Sequence, residues 1–107
     1  MRKDADFLAA ILDSLKAPIL VADTNHIIQY MNRAAIAFYE GGESLIGRSL
    51  LDCHNEVSQQ IIRDTLTFLQ AGGEERLIGV DEEGKKVYMR AVRAPDGRLL
   101  GYYERYE

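Results

Sequence analysis

Between Pro18 and Ala35 the chain changes its pattern several times in quick succession. An apolar run of strand length, Ile19 to Ala22, gives way to a polar tetrad, Asp23-Thr-Asn-His26, and then to a second run, Ile27 to Met31. Asn25 and His26 are among the few non-glycine types that tolerate a positive φ, so the tetrad reads as a turn and the two runs as a hairpin. Asn32 suits a helix N-cap, its side-chain oxygen accepting a backbone N–H. Arg33 to Tyr39 form the helix, and Gly41-Gly42 end it.

The remaining elements follow from the same rules. Residues 4–16 read as an amphipathic helix, with Phe7, Leu8, Ile11, Leu12 and Leu15 on one face, Asp4 or Asp6 at its start and Pro18 beyond its end. Ser44 to Leu51 is a short helical segment with a corner at Gly47, and Asp52-Cys-His-Asn55 is a polar interruption. Glu56 to Gln70 is a long helix with Val57, Ile61, Ile62, Leu66 and Leu69 on one face, capped by Asn55 and stopped by Gly72-Gly73. Arg76 to Val80, Lys86 to Ala94 and Arg98 to Tyr106 are strands, joined by turns at Asp81-Glu-Glu-Gly84 and Pro95-Asp-Gly97. A hairpin, a helical excursion and a three-strand meander combine into one five-stranded antiparallel sheet with helices on one face, an α+β domain. The expected organisation is an N-terminal amphipathic helix, residues 1–16, before a sheet domain, residues 17–107. The helix face either packs on the domain or pairs with a second copy, which makes a homodimer the expected state.

Bulk properties remove several functions. A chain of 107 residues holds one modest core. Its net charge of −4 argues against direct nucleic-acid binding, which needs a basic face. The single cysteine, Cys53, rules out an internal disulfide, and with only His26 and His54 beside it a four-ligand structural zinc site is not expected. The N-terminal segment is neither a signal peptide nor a membrane span, because Asp13 and Lys16 break its apolar run. A cytoplasmic protein, or a cytoplasmic piece of a larger one, is the expectation.

The order of these pieces resembles a PAS domain across nearly the whole chain. The matching residues are Asp23-x-x-x-Ile27-Ile28, Tyr30-Met-Asn-Arg-Ala-Ala35, Leu45-Ile-Gly-Arg-Ser49, the helix ending at Gly72, and Asp96-Gly-Arg-Leu-Leu-Gly101. Asn25-His26 replace the glycine usual in the first turn. Gly47-Arg-Ser-Leu-Leu-Asp-Cys-His54, followed by Ser58, resembles a bacterial subgroup with a Cys-His pair after the Gly-Arg corner. The resemblance implies a five-stranded PAS-like sheet and a non-catalytic sensory and interaction module of bacterial signal transduction or transcription regulation. It further implies a small ligand or cofactor in the core and an attached signalling or effector domain. A ligand-free dimerisation module is the alternative.

His54 and Cys53 are the first candidate site residues. The resemblance admits His54 as a haem ligand, its ring oriented by an acceptor such as Asp52. Haem-binding PAS families place that histidine within the long helix, however, and here the long helix has none. The competing reading is a histidine that hydrogen-bonds locally and braces its loop. Cys53 is near the position of the reactive cysteine in flavin-binding relatives. Their Asn-Cys-Arg-Phe signature is missing, so a small buried thiol is expected instead of flavin chemistry. Phe38, Tyr39, Ile62, Leu66, Val80, Met89 and Tyr103 are the expected lining of a pocket between sheet and helices, and His26 is expected to be exposed at its turn. No Gly-rich phosphate loop, Ser/His/Asp order or convincing carboxylate pair is present.

Overall fold

The computed structural model describes residues 4–107. Its elements are α1 (Ala5–Asp13), β1 (Leu20–Asp23), β2 (Ile28–Met31), α2 (Arg33–Phe38), two 3₁₀ turns (Gly42–Leu45 and Leu50–Cys53), α3 (Glu56–Gln70), β3 (Glu75–Val80), β4 (Lys86–Arg93) and β5 (Leu99–Tyr106). The strands form one antiparallel sheet in the order β2-β1-β5-β4-β3. The last strand therefore lies at the centre, between the opening hairpin and the meander. The core lies between the sheet and the helices, built from Leu20, Ala22, Ile28 and Met31 of the hairpin, Ile62, Leu66 and Leu69 of α3, and Met89 and Tyr102.

Close approach fixes the β1–β5 pairing. Gly101 stands opposite Asp23, and a Cβ there would lie 2.1 Å from the Ala22 carbonyl oxygen. No side chain fits, so glycine is required by contact. A second constraint ties the hairpin to the Gly-Arg corner. Gly47 adopts φ +90°, which aims its N–H at the Ile28 carbonyl (2.8 Å), while Ile28 N–H donates to Arg48 (2.9 Å) and Leu50 N–H to His26 (2.7 Å). The motif pieces at 23–28 and 45–50 are thus paired backbone.

Asn32 holds the first four elements together. Its Oδ1 accepts from Ile19 N–H and from Ala35 N–H, each at 2.9 Å, and its Nδ2 donates to the Leu12 carbonyl (2.9 Å) and the Ala17 carbonyl (3.0 Å). The residue is fully buried. The cap expected of Asn32 is there, and the same amide also fastens the end of α1. Asp4 caps the start of that helix, accepting from Phe7 N–H at 2.8 Å. The helix closes at Asp13, earlier than its apolar spacing suggests, because Ser14 Oγ donates to the Ile11 carbonyl (2.6 Å) and Asn32 takes the Leu12 carbonyl.

α3 spans the expected residues with Asn55 as its cap, but its buried stripe differs. Ile62, Thr65, Leu66 and Leu69 are buried, whereas Val57 and Ile61 are exposed. Positions 62, 65, 66 and 69 follow the spacing of a single helix face, and 57 and 61 fall off it. Thr65 is tolerated inside because its hydroxyl donates to the Ile61 carbonyl at 2.7 Å.

Asn32→Ala should destabilise the domain by about 3 kcal/mol, through loss of a cap and of partners for buried backbone groups. Urea titration measures this, and a loss below about 1 kcal/mol would contradict the role given to Asn32.

Candidate functional site

A cavity of about 350 Å³ opens between the sheet and the helical segments. Its walls are mainly aliphatic, with Leu20, Ile28, Leu50 and Ile62 buried in the fold, Leu45 half-buried beside them, and the exposed Ile61 and Val80 at the rim. Volume and lining match the usual character of a small-molecule site, apolar with a few polar groups.

The polar groups converge on Glu104. The register of β5 sets this residue between Leu20 of β1 and Met89 of β4, two fully buried apolar residues of the helix-facing side. An acid therefore stands on the inner face of the central strand, only 5% exposed. The hydroxyls of Tyr39 (3.2 Å) and Tyr106 (3.4 Å) both lie within hydrogen-bond reach of its Oε1 and of each other, so their two protons are shared among three contacts. Phe38 packs edge-on against both rings, with centroids 5.0 Å from Tyr39 and 5.3 Å from Tyr106. Burial drives the Glu104 pKa above the ordinary carboxyl value, against the opposing pull of His54 and of the two hydroxyls. Burial likewise raises both tyrosines, so they remain donors at any ordinary pH.

His54 lines the same cavity. Its Nδ1 is 2.9 Å from the Leu50 carbonyl, an acceptor only, so Nδ1 carries the proton and Nε2 keeps its lone pair when the ring is neutral. The orienting partner is thus a backbone carbonyl and not Asp52, and the ring braces its own 3₁₀ turn. Cys53 borders the cavity but is exposed, contrary to the buried thiol expected. The turn Leu50–Cys53 buries Leu50, which leaves Cys53 at the surface.

Of the other expected lining residues, Phe38, Tyr39, Ile62 and Val80 border the cavity. Leu66 and Met89 do not, being closed into the core beside it. Tyr103 also does not, because strand alternation turns it away from Tyr102 and Glu104. Glu104 and Tyr106 were not among the expected residues. The available signal was their period-two spacing from Tyr102, but an inward acid is recognised only once β5 is known to be central.

His26 is likewise misjudged by its turn chemistry. It has the positive φ expected of the turn, +67°, yet it is buried, with Nδ1 2.8 Å from the Tyr102 hydroxyl. Pairing of the turn with the 47–50 corner covers it. Desolvation holds its pKa below the ordinary imidazole value, so the ring is neutral.

The family model for the PAS fold matches residues 12–107. The chain belongs to the PAS family. The C-terminal domain of a Streptococcus mutans protein superposes with a TM-score of 0.76 at 24% identity, covering 97% of this chain and 84% of that one. A PAS domain from Colwellia psychrerythraea gives 0.70 at 14%, covering 95% and 93%. A Vibrio cholerae receptor described as a dual PAS-haem oxygen sensor gives 0.59 at 16%, covering 84% and 91%. Identities this low establish the fold alone. No curated protein matches the chain. PAS domains are sensory and interaction modules, and no helix among the described residues is long and apolar enough to cross a membrane.

Glu104→Gln tests the electrostatics of this site. The folded pKa lies above the ordinary value of 4.5, so the stability this acid allows is full below that value and declines as pH rises through the folded pKa. Glutamine mimics the protonated acid. The variant should melt higher than the parent at pH 8, and the difference should close towards pH 4.5. A variant less stable than the parent at pH 8 would refute a raised Glu104 pKa.

Proposed function

We propose that this PAS domain is the sensory module of a cytoplasmic bacterial regulatory protein, non-catalytic, that detects a small molecule in the cavity between sheet and helices. The observation that carries the reading is a buried carboxyl with two tyrosine hydroxyls, set in the wall of an otherwise apolar cavity that opens at the surface. Such a wall gives a mostly apolar ligand one place to make its polar bonds, which fixes its orientation.

Output would run through α1. Phe38 and Tyr39 close α2 at the cavity, and Asn32 opens α2 while holding the Leu12 and Ala17 carbonyls. Tyr30 adds bonds from its hydroxyl to the Ala9 carbonyl (3.1 Å) and Asp13 (2.9 Å). A ligand that prefers one placement of Tyr39 thereby biases α2 and the helix fastened to it. It can do so only by its difference in affinity for the two arrangements.

The helix itself supports pairing of two copies. None of its residues is buried, and Phe7 and Leu8 are 57% and 53% exposed. With Ile11 and Leu15, also exposed, they make an apolar face that a second α1 would cover, with Leu12 partly covered already by its own domain. An effector domain attached to such a pair would receive the change in helix placement.

Haem fits this cavity poorly. His54 retains one ligand atom in Nε2, but the Glu104 carboxyl and two hydroxyls border the same space. Polar groups facing a flat apolar macrocycle lose hydrogen-bonding partners.

Native mass spectrometry of the purified chain should show a dimer carrying a small organic molecule, and Ile62→Trp, which fills the cavity, should release that molecule. A dimer with nothing bound, and no gain from added candidate ligands, would leave a ligand-free dimerisation module. Leu8→Glu should give monomers in analytical ultracentrifugation, and a persistent dimer would place the interface away from α1.

A further inference from the structure

The cavity's charge and an unpaired carboxyl oxygen on its wall narrow the ligand. Both tyrosine hydroxyls bind Oε1 of Glu104, and Oε2 has no hydrogen-bond partner among the described residues. Yet no fully enclosed polar side-chain atom among those residues lacks a partner. Oε2 therefore borders the open space of the cavity. In the ionised acid it is an acceptor, on a residue nineteen-twentieths buried, facing the volume a ligand would fill.

The ionisable groups around that volume are mostly acidic. Glu104 and Asp81 line it with His54, and neither lysine nor arginine does. Lys16 and Lys85 border a neighbouring groove that shares Phe38, Asp81 and Tyr106 with the cavity, and do not line the cavity itself. An anionic ligand would meet two acids with only an imidazole to oppose them. The rings of Phe38, Tyr39 and Tyr106 cluster at the same wall. Aromatic rings beside a carboxylate favour a positive charge, through cation–π attraction and a charge-assisted hydrogen bond.

Resting on the reading of this cavity as a ligand site, we propose that its ligand is an organic cation: an aliphatic or aromatic body with one protonated amine, seated against Oε2 of Glu104. The ammonium N–H donates to Oε2, and the tyrosines continue to hold Oε1. The body lies among Leu20, Ile28, Leu50 and Ile62. Burial favours the protonated form of the acid, and any proton it carries passes to solvent as the ammonium ion arrives. Affinity therefore rises with pH. The groups facing Glu104 are Tyr39 at the end of α2, Tyr106 on its own strand and His54 ahead of α3, with Asp81 after β3 on the same wall. Among these, His54 and the two hydroxyls pull the carboxyl towards its charged form, against burial.

Isothermal titration of the full chain with n-hexylamine, 1-hexanol and hexanoate, three probes of one length, tests the assignment. Hexylamine should bind at least tenfold more tightly than hexanol at pH 8 and should weaken several-fold at pH 6. Hexanoate should bind most weakly of the three. Glu104→Gln should lose the preference for amine and keep hexanol binding, which also shows that its cavity is intact. Equal or tighter binding of hexanol or hexanoate would overturn the cation and leave the ligand site standing. Binding of none of the three would overturn both.

Discussion

The buried amide of Asn32 is the interaction on which the rest of the fold depends. Four backbone groups from α1, the approach to β1, and α2 find their partners on one side chain. Each of these groups would otherwise lose water on burial without replacing it, at a cost of about 1–3 kcal/mol apiece. One residue can do this only because asparagine offers two acceptor sites and two donors in a fixed plane. Aspartate would have no N–H for the Leu12 and Ala17 carbonyls, and leucine would satisfy none of the four groups. The hairpin, the first helix of the domain and the helix before it are thus positioned as a unit.

That unit provides one wall of the cavity, the meander a second, and the Leu50–Cys53 turn with α3 the rest. β5 crosses between them and brings Glu104 to the inner face, where Tyr39 from the first unit meets Tyr106 from the second. The polar cluster is therefore a joint between the two halves of the domain. A buried acid held by two hydroxyls is a costly element in a core of this size, and replacing it with an apolar residue would be the simpler way to a stable sheet. Its presence puts an ionisable group in the cavity wall and ties that wall, through Tyr39, to the end of α2.

Much of the element order was legible in the residues, because its signals are local. The caps at Asn32 and Asn55 and the positive φ at His26 follow from the chemistry of those residues and their neighbours. The site was legible only in part. Phe38, Tyr39, Ile62 and Val80 border the cavity, as apolar residues of the covering elements do. Leu66 and Met89 differ from them only in depth, and depth depends on how closely α3 lies on the sheet. His26 carries the signature of an exposed turn residue and is buried by a corner about twenty residues away in sequence. Tyr103 and Glu104 are neighbours in sequence, and which of them faces the cavity is set by register, since a shift of one residue exchanges the two faces.

Local residue chemistry is enough to place the elements, their boundaries to within a few residues, and a sheet-and-helix architecture. Turn, cap and period signals act over a handful of positions and need no partner to be read. Tertiary structure decided what those elements enclose. Only the pairing of β5 between β1 and β4 makes an acid near the C-terminus the wall of a cavity. Only packing leaves the α1 face uncovered while Asn32 holds the end of its helix. Both outcomes rest on contacts between residues far apart in the chain, where register and close approach, not local preference, fix which groups meet.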